Sequence, residues 1–478
     1  MFKIRFLLSN LFNKSRTNLI VKEFSLNQNY FYSWGMKKSG KGIRNNRKKF
    51  KVVLIEDGFI HSFGYKKQKI PLSICYDNKG IYYNLESKSD LFEIIKNDIS
   101  EDNYLRAKNI IKLWKKYSIS KYNFPYFSEP PSIPYILLID QVFGDLSINY
   151  GGANEDSFRK MFDFSVKNWP NHKIIIKVHP DVINYKKRGF LDKSYYSRKN
   201  VEVLGDIGQI NKLVEFSTAV CVVTSQVGFE ALIYGKEVHV FGNPFYSGLG
   251  LTIDHKASKD SNKSIKISLE QLVFALLVKY QIFLDPRNKK ICEVEEIMQY
   301  IKLKRDAFAF FPKNTEGLNF TPWKARQINR FFYNATGKKV KSFKRYTGNM
   351  QNIMVWGKKT KSDNYISKVN NFISVEDGFV RSVGLGADLY PPLSLLFDKK
   401  GIHYDASKES DLENLLQNSN VNDNEMVRAR KIINLIIKLN ISKYNLRLNK
   451  EIDLPKNIDK KKIIGVLGQV ETDNSIIY

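Results

Sequence analysis

A short set of residues occurs twice in this chain, in the same order and far apart. Ile55-Glu56-Asp57-Gly58-Phe59-Ile60-His61-Ser62 returns as Val375-Glu376-Asp377-Gly378-Phe379-Val380-Arg381-Ser382. Pro71-Leu72-Ser73 with Asp77 and Gly80 returns as Pro392-Leu393-Ser394 with Asp398 and Gly401. Ile119-Ser120-Lys121-Tyr122-Asn123 returns as Ile441-Ser442-Lys443-Tyr444-Asn445, and Gln141 with Asp145 returns as Gln469 with Asp473. The offset drifts only from 320 residues at Ile55/Val375 to 328 at Gln141/Gln469. A period this long lies far outside the roughly 20–50 residues of solenoid repeats, so it implies tandem modules. The stretch 174–252 has no second copy before Tyr478. One module therefore reads as whole and the other as cut short within its second half.

The α/β rhythm within each module is legible from apolar runs. Val52-Val53-Leu54-Ile55, Tyr135-Ile136-Leu137-Leu138-Ile139, 173–178, 219–223 and 237–241 read as buried strands. The i, i+3, i+4 spacing of 91–96, 104–117, 157–166, 228–234, 269–280 and 294–302 reads as helix. Three prolines among Pro130, Pro131 and Pro134 stiffen a linker and mark a lobe boundary. The expected architecture is a pair of Rossmann-like lobes at 1–130 and 131–320, a repeated first lobe at 321–450, and at 451–478 the opening of an incomplete lobe. In that last piece 463–468 reads as a strand.

The formal charge is +29, from 77 Lys and Arg against 48 Asp and Glu. Such an excess suits polyanions, whether nucleic acid, anionic lipid or an acidic sugar nucleotide, and equally a Lys-rich solvated surface. The aromatics do not interleave with basic residues in a nucleic-acid-binding pattern, and no helix-turn-helix is evident, so nucleic acid is not expected. Cys75, Cys221 and Cys292 are widely spaced and form no C-x-x-C pair, which reads as buried free thiols in a reducing cytoplasm. The six histidines lack paired metal-ligand spacing. Residues 1–12 are basic and apolar but too interrupted for a signal sequence, and read as a first helix or a membrane-surface helix. No run of 18 uncharged apolar residues occurs to span a bilayer.

In doubly wound sheets ligands sit beyond the carboxyl ends of the strands, so the polar residues after each apolar run carry the chemistry. Here they are Glu56-Asp57, Gln141 to Gly144-Asp145, His179-Pro180, Thr224-Ser225 with Gly228, and Pro244-Phe245. Aimed at one crevice, they describe a binding cleft. Thr224 to Leu232 reads as strand–turn–helix, whose hydroxyls and free N–H groups suit a phosphate. Ser225 is also a helix cap, Glu230 a first-turn carboxylate favoured by the dipole, and Asp145 an ordinary turn residue.

Six motifs in fixed order bear on these alternatives. They are Glu56-Asp57-Gly58-Phe59-x-x-Ser62, Pro71-Leu72-Ser73 with Asp77, Gln141-x-x-x-Asp145, Lys177-x-His179-Pro180-Asp181, Ser225-x-x-Gly228-Phe229-Glu230-Ala231-Leu232, and Pro244-Phe245-Tyr246-Ser247-Gly248-x-Gly250-Leu251-Thr252. Together they resemble the capsule polysaccharide biosynthesis family, specifically its dual-module retaining β-Kdo glycosyltransferases of KpsC type. The resemblance implies GT-B-like modules at the inner face of the inner membrane, without a cofactor or metal. These use CMP-β-Kdo to build a Kdo linker on a lyso-phosphatidylglycerol anchor. By motif position it implies Asp145 as nucleophile and Glu56 as acid/base or acceptor-side carboxylate, with Asp57 as a substrate-binding residue. It implies His179 at the departing phosphate. The set expected to hold the donor is Gln141, Gly144, Lys177, Pro180, Thr224, Ser225, Gly228, Glu230, Pro244, Phe245, Tyr246, Ser247 and Gly248. The second module keeps Glu376, Asp377, Gln469 and Asp473 and has Arg381 where the first has His61, but it lacks His-Pro and Ser-x-x-Gly-Phe-Glu. It is therefore expected to be inactive as written. The rival readings are a transferase for another CMP-linked ulosonic acid, such as sialic acid, and an inactive basic membrane-associated fragment.

Overall fold

The structure is a computed structural model of the 478-residue chain. It describes residues 30–37, 41–45, 51–64, 71–179, 182, 187–205, 208–256, 265–357, 365, 367–421, 423–446, 464–469, 471 and 474–477. The expected basic helix at 1–12, Pro180 and Asp473 lie outside these residues. The chain forms two compact units, Met1–Arg305 and Asp306–Tyr478.

In the first unit the strands are, in order, β1 (Tyr30–Trp34), β2 (Lys51–Asp57), β3 (Ser62–Phe63), β4 (Ser73–Asp77), β5 (Tyr122–Asn123) and β6 (Tyr135–Ile139). They continue with β7 (Lys173–Lys177), β8 (Val201–Leu204), β9 (Ala219–Val222), β10 (Glu237–Val240), β11 (Ile253–Asp254), β12 (Gln281–Asp285) and β13 (Lys290–Cys292). One sheet has the order β1-β2-β4-β12-β13, with only β1 and β2 parallel. The other, β11-β10-β9-β6-β7-β8, is parallel throughout. Its central strands are continuous apolar runs, as a sheet covered on both faces requires. Every residue of β6 and of β9 is buried.

Chain order leaves β6 toward β7 and β8, then returns to β9 on the opposite side. The loops after β6 and β9 therefore diverge, and this switch point is where a ligand crevice opens in such sheets.

The helix Glu101–Lys116 is capped by the Ser100 hydroxyl and buries Ala107, Ile110 and Trp114 along one stripe. It packs against Leu269–Phe274, which runs on as a π-helical turn over Ala275–Lys279. That turn delivers buried Tyr280, whose hydroxyl donates to Asp77 Oδ2 at 2.8 Å, and then β12, which pairs antiparallel with β4. Residues 269–292 thus return to the first sheet, which the division at 130/131 does not anticipate. Cys75 and Cys221 are buried free thiols, whereas Cys292 is only half-buried at the sheet edge.

The second unit has one sheet of β14 (Thr315–Leu318), β15 (Lys341–Phe343), β16 (Asn352–Trp356), β17 (Asn371–Asp377) and β18 (Leu395–Asp398), ordered β15-β14-β16-β17-β18. Strands β16, β17 and β18 repeat β1, β2 and β4, and the helices Asp411–Asn418 and Asp423–Lys438 repeat Asp90–Lys96 and Glu101–Lys116. Ile432 is 45% exposed where its counterpart Ile110 is wholly buried. Among the described residues of the second unit no helix stands where Leu269–Phe274 stands in the first.

Over the described residues 464–468 the strand expected at 463–468 is not formed. Residues 464–469 carry no strand, and Val466 and Leu467 are over 90% exposed. A lone apolar run has no ladder partner to satisfy its backbone, and none of the described strands pairs with it.

Much of the repeated sequence is structural. Gly58 and Gly378 each lie where a Cβ would meet a serine hydroxyl, Ser73 or Ser394, at 2.0 or 2.1 Å. Asp77 Oδ1 accepts the N–H groups of Lys79 and Gly80, and Asp398 Oδ1 those of Lys400 and Gly401. These carboxylates tie a strand end to the turn after it in both units.

Candidate active site

A cleft of about 640 Å³ opens at the switch point, between the loops after β6, β7 and β9 on one side and the end of β2 on the other. Glu56, Gln141, Gly144, Asp145, Lys177, His179, Thr224, Ser225, Glu230, Pro244 and Phe245 line it. The sequence-predicted nucleophile, acid/base and phosphate-side histidine thus share one wall system. Asp57, Gly228, Tyr246, Ser247 and Gly248 are not in the lining.

Glu56 ends β2 half-buried. Its Oε1 accepts Trp34 Nε1–H at 2.9 Å and the Asp57 N–H at 3.1 Å, and its Oε2 accepts the Tyr83 hydroxyl at 3.2 Å. Burial, and then the neighbouring Asp57 charge, hold its pKa above the usual carboxylate value. A carboxylate so perturbed is a better proton acceptor than a solvated one. Asp57 itself turns to His61, 3.5 Å away.

Asp145 sits at the N-cap of the short helix Leu146–Tyr150, where Oδ1 accepts the Ser147 N–H at 2.9 Å. Its side chain is exposed to the cleft and makes no hydrogen bond through Oδ2 among the described residues. Gly144 before it has φ +85°, a left-handed conformation that projects the next residue outward. The turn reading and the cleft reading of Asp145 hold together.

Gln141 and Thr224 hold each other. Gln141 Oε1 accepts the Thr224 N–H at 3.0 Å, and its Nε2 donates to the Thr224 hydroxyl at 3.1 Å. This pair staples the loop after β6 to the loop after β9. Lys177, buried at the end of β7, and His179 follow on the next strand. Ser225 Oγ accepts the Val227 N–H at 3.2 Å, so it caps the first turn while facing the cleft.

Tyr246, Ser247 and Gly248, expected to hold the donor, stand outside the lining, and their visible bonds support it. Tyr246 is wholly buried and donates to the Ser225 carbonyl at 2.5 Å. Ser247 Oγ donates to the Pro244 carbonyl, and the Gly248 N–H donates to Asp254. The chain turns over residues 245–248, where Tyr246 and Ser247 are buried. Gly228 likewise makes room, since a Cβ there would lie 2.1 Å from the Tyr246 hydroxyl.

Glu230 is 1% exposed and accepts the Lys121 N–H at 3.1 Å and Gln226 Nε2–H at 3.3 Å. It reaches the cleft wall as an anchor for the residues beside it. Burial pushes its carboxyl up to about 7, opposed by the Ser120 hydroxyl and the Lys121 N–H. A carboxyl that titrates higher in the fold than in the unfolded chain lends stability that is complete below its unfolded value, near 4.5, and lost as pH rises through 7. Glu230→Gln is therefore expected to shrink the rise in melting temperature between pH 8 and pH 5.5, with ~3 kcal/mol as the upper bound of the effect. Asp140, pushed up to about 6 by burial, leaves a smaller dependence of the same sign. An unchanged pH dependence in parallel thermal melts would contradict this role for Glu230.

Sequence reasoning missed Lys121, Asp140 and Tyr83. Asp140 Oδ1 gathers the N–H groups of Gln141, Phe190 and Leu191, tying residues 190–191 to the end of β6. The signal for Lys121 was present in the repeat, as Lys443.

In the second unit Glu376 ends β17 as Glu56 ends β2, with the Tyr404 hydroxyl 3.4 Å from Oε2. Arg381 is 2% exposed, its Nε donating to Asp377 Oδ2 at 2.9 Å and its Nη1 to the Ser382 hydroxyl and the Tyr390 carbonyl. It is a buried clamp, not an open site residue. Gln469 is exposed in an extended segment.

The chain matches the family described as Capsule polysaccharide biosynthesis protein over residues 105–283 and 351–477. Capsule polysaccharide modification protein LipA of Neisseria meningitidis serogroup A is 32% identical over 453 residues, covering 89% of this chain and 63% of LipA. Lipopolysaccharide-processing protein LpsZ of Rhizobium meliloti is 30% identical over 287 residues, 58% of this chain and 64% of LpsZ. The chain thus spans under two thirds of the length of these curated relatives. Among solved structures, the Thermosulfurimonas dismutans KpsC β-Kdo 2,4 transferase is 31% identical with a TM-score of 0.53, covering 57% of this chain and 86% of that one.

Proposed function

This chain belongs to the capsule polysaccharide biosynthesis protein family, and on that premise we propose that the first unit's cleft transfers Kdo from CMP-β-Kdo to a lipid-linked acceptor with retention of configuration. The observation that carries the reading is the convergence of Asp145, Glu56 and His179 on one cleft at the switch point of the parallel sheet. The similarity to a β-Kdo 2,4 transferase structure supports the sugar.

Retention follows from two displacements. The Asp145 carboxylate attacks the anomeric carbon as the bond to the phosphate oxygen breaks, and the electron pair leaves with CMP. Lys177 and His179, on the donor side, receive the charge that grows on that phosphate. An acceptor hydroxyl then attacks the same carbon, the bond to Asp145 breaks, and Glu56 takes the hydroxyl proton. Oxocarbenium character in both transition states is stabilised by the Asp145 and Glu56 carboxylates. Gln141 and Thr224 keep the two donor-side loops in register while this happens.

The acceptor's lipid would bring the protein to the inner face of the inner membrane, and a net charge of +29 suits an anionic surface. Among the described residues no helix is long and apolar enough to cross a membrane.

Incubation with CMP-Kdo and a lipid-linked Kdo acceptor is expected to release CMP, with CMP-sialic acid competing at least about tenfold more weakly. Release from CMP-sialic acid at an equal or greater rate would replace Kdo with another ulosonic acid. No release from either donor would overturn the transferase reading.

A further inference from the structure

The Ser-Lys-Tyr-Asn motif occurs in both units, and three of its four residues have a visible structural task. Asn123 Oδ1 accepts the Ser120 N–H at 3.0 Å, and its Nδ2 donates to the carbonyls of Ser62 and Ser120. Tyr122 joins Asn123 in β5, paired with β3. Asn445 makes the same bonds to Ser442 and Ser382 in the second unit. The Lys121 backbone is equally fixed: its N–H donates to Glu230, and its carbonyl accepts the N–H groups of His61 and Ser62.

The Lys121 side chain has no such task. Its Nζ makes no hydrogen bond or ion pair among the described residues and stands 5.7 Å from the centre of the Tyr122 ring. It lines the cleft together with Glu56 and Asp145. Burial works against its charge, but Tyr122, Asp57, Glu56 and Asp145 outweigh that and hold it as an ammonium. A cation kept inside a cleft with no hydrogen bond or ion pair among the described residues is prepared for an anion.

The substrate supplies one at this place. A ulosonic acid carries its carboxylate on the anomeric carbon itself, so the group must enter beside the Asp145 carboxylate that attacks that carbon. Unneutralised, it would be repelled by the cleft-lining Asp145 and Glu56 in a partly desolvated cleft. Lys177 and His179 stand on the donor-lobe strand β7 and the loop after it, toward the phosphate. Lys121 lines the cleft with Glu56 and Asp145, and its charge interacts with both and with Asp57.

We propose that Lys121 binds the carboxylate on the anomeric carbon of the sugar donor, and so selects ulosonic acids over uncharged sugars. This rests on the donor being a CMP-linked sugar acid, as argued above.

The test compares wild type with Lys121→Gln on CMP-Kdo, on its C1 carboxamide, and on CMP alone. With CMP-Kdo the variant is expected to lose on the order of 30-fold or more in kcat/KM. With the carboxamide, already a poor donor, the variant should lie within about threefold of wild type, because the partner of the lysine is gone. The Kd for CMP, which lacks the sugar, should move less than about twofold, and this also certifies the folded cleft. Equal losses on both donors would make Lys121 a partner of Glu56 instead, and would overturn the proposal. Wild-type protein that binds no CMP would overturn the donor assignment first, and this inference with it.

Discussion

Asp145→Asn is expected to lower CMP release from CMP-Kdo by on the order of a thousandfold or more, the usual cost of removing a covalent nucleophile. Asparagine is chosen because Asp145 has two separable roles. It caps the helix Leu146–Tyr150 through the Ser147 N–H, and asparagine caps as well as aspartate. The fold should therefore survive while the anionic attack is lost. Asp145→Ala should show the same loss of turnover plus about 1 kcal/mol of instability from the missing cap. Initial rates, a thermal melt and a CMP titration on each variant separate the two effects. Asp145→Asn with more than about a tenth of wild-type turnover would exclude Asp145 as nucleophile.

The second large effect is one of stability. Arg381→Ala is expected to destabilise the second unit by about 3 kcal/mol, from losing a buried, fully hydrogen-bonded arginine whose carboxylate partner is half-buried. Three bonds fix the guanidinium: to Asp377, the Ser382 hydroxyl and the Tyr390 carbonyl. Asp377 Oδ1 already lacks a hydrogen-bond partner, so the half-buried carboxylate would be left without its counter-charge. Amide hydrogen exchange across Asn371–Asp377 reads this locally, and protection there should fall by a factor on the order of 100 or more. A change below about tenfold would mean that the arginine is not a structural clamp.

Arg381 also marks a limit of reading residues from sequence. The repeat aligned it with His61, and a charged residue after Glu-Asp-Gly-Phe invites a functional role. Only packing reveals that Gly386 lies against its guanidinium and that the side chain is enclosed. Local patterns fared better where the physics is local. Apolar runs became β2, β6, β7 and β9, and the polar residues after β6, β7 and β9 converged on the cleft because parallel strands of one sheet end together. The return of β12 to the first sheet was not legible. The run Gln281-Ile282-Phe283-Leu284-Asp285 is a strand whichever sheet receives it, and pairing with β4 is a tertiary choice. The turn over residues 245–248 hid Tyr246 and Ser247 for the same reason, since side-chain direction depends on a bend that composition does not specify. Lys121 was legible only in retrospect, once Ser120 and Asn123 had been assigned their backbone tasks.

The central claim is a covalent bond between the sugar and Asp145 in the first unit's cleft. Its most direct test is intact-protein and peptide mass spectrometry after brief incubation with CMP-Kdo in the absence of acceptor. The account predicts one added Kdo residue, with CMP released, on the peptide containing Asp145, and no adduct in the Asp145→Asn chain. An adduct on another residue, or acceptor turnover by wild type under conditions where rapid quenching finds no adduct, would contradict it.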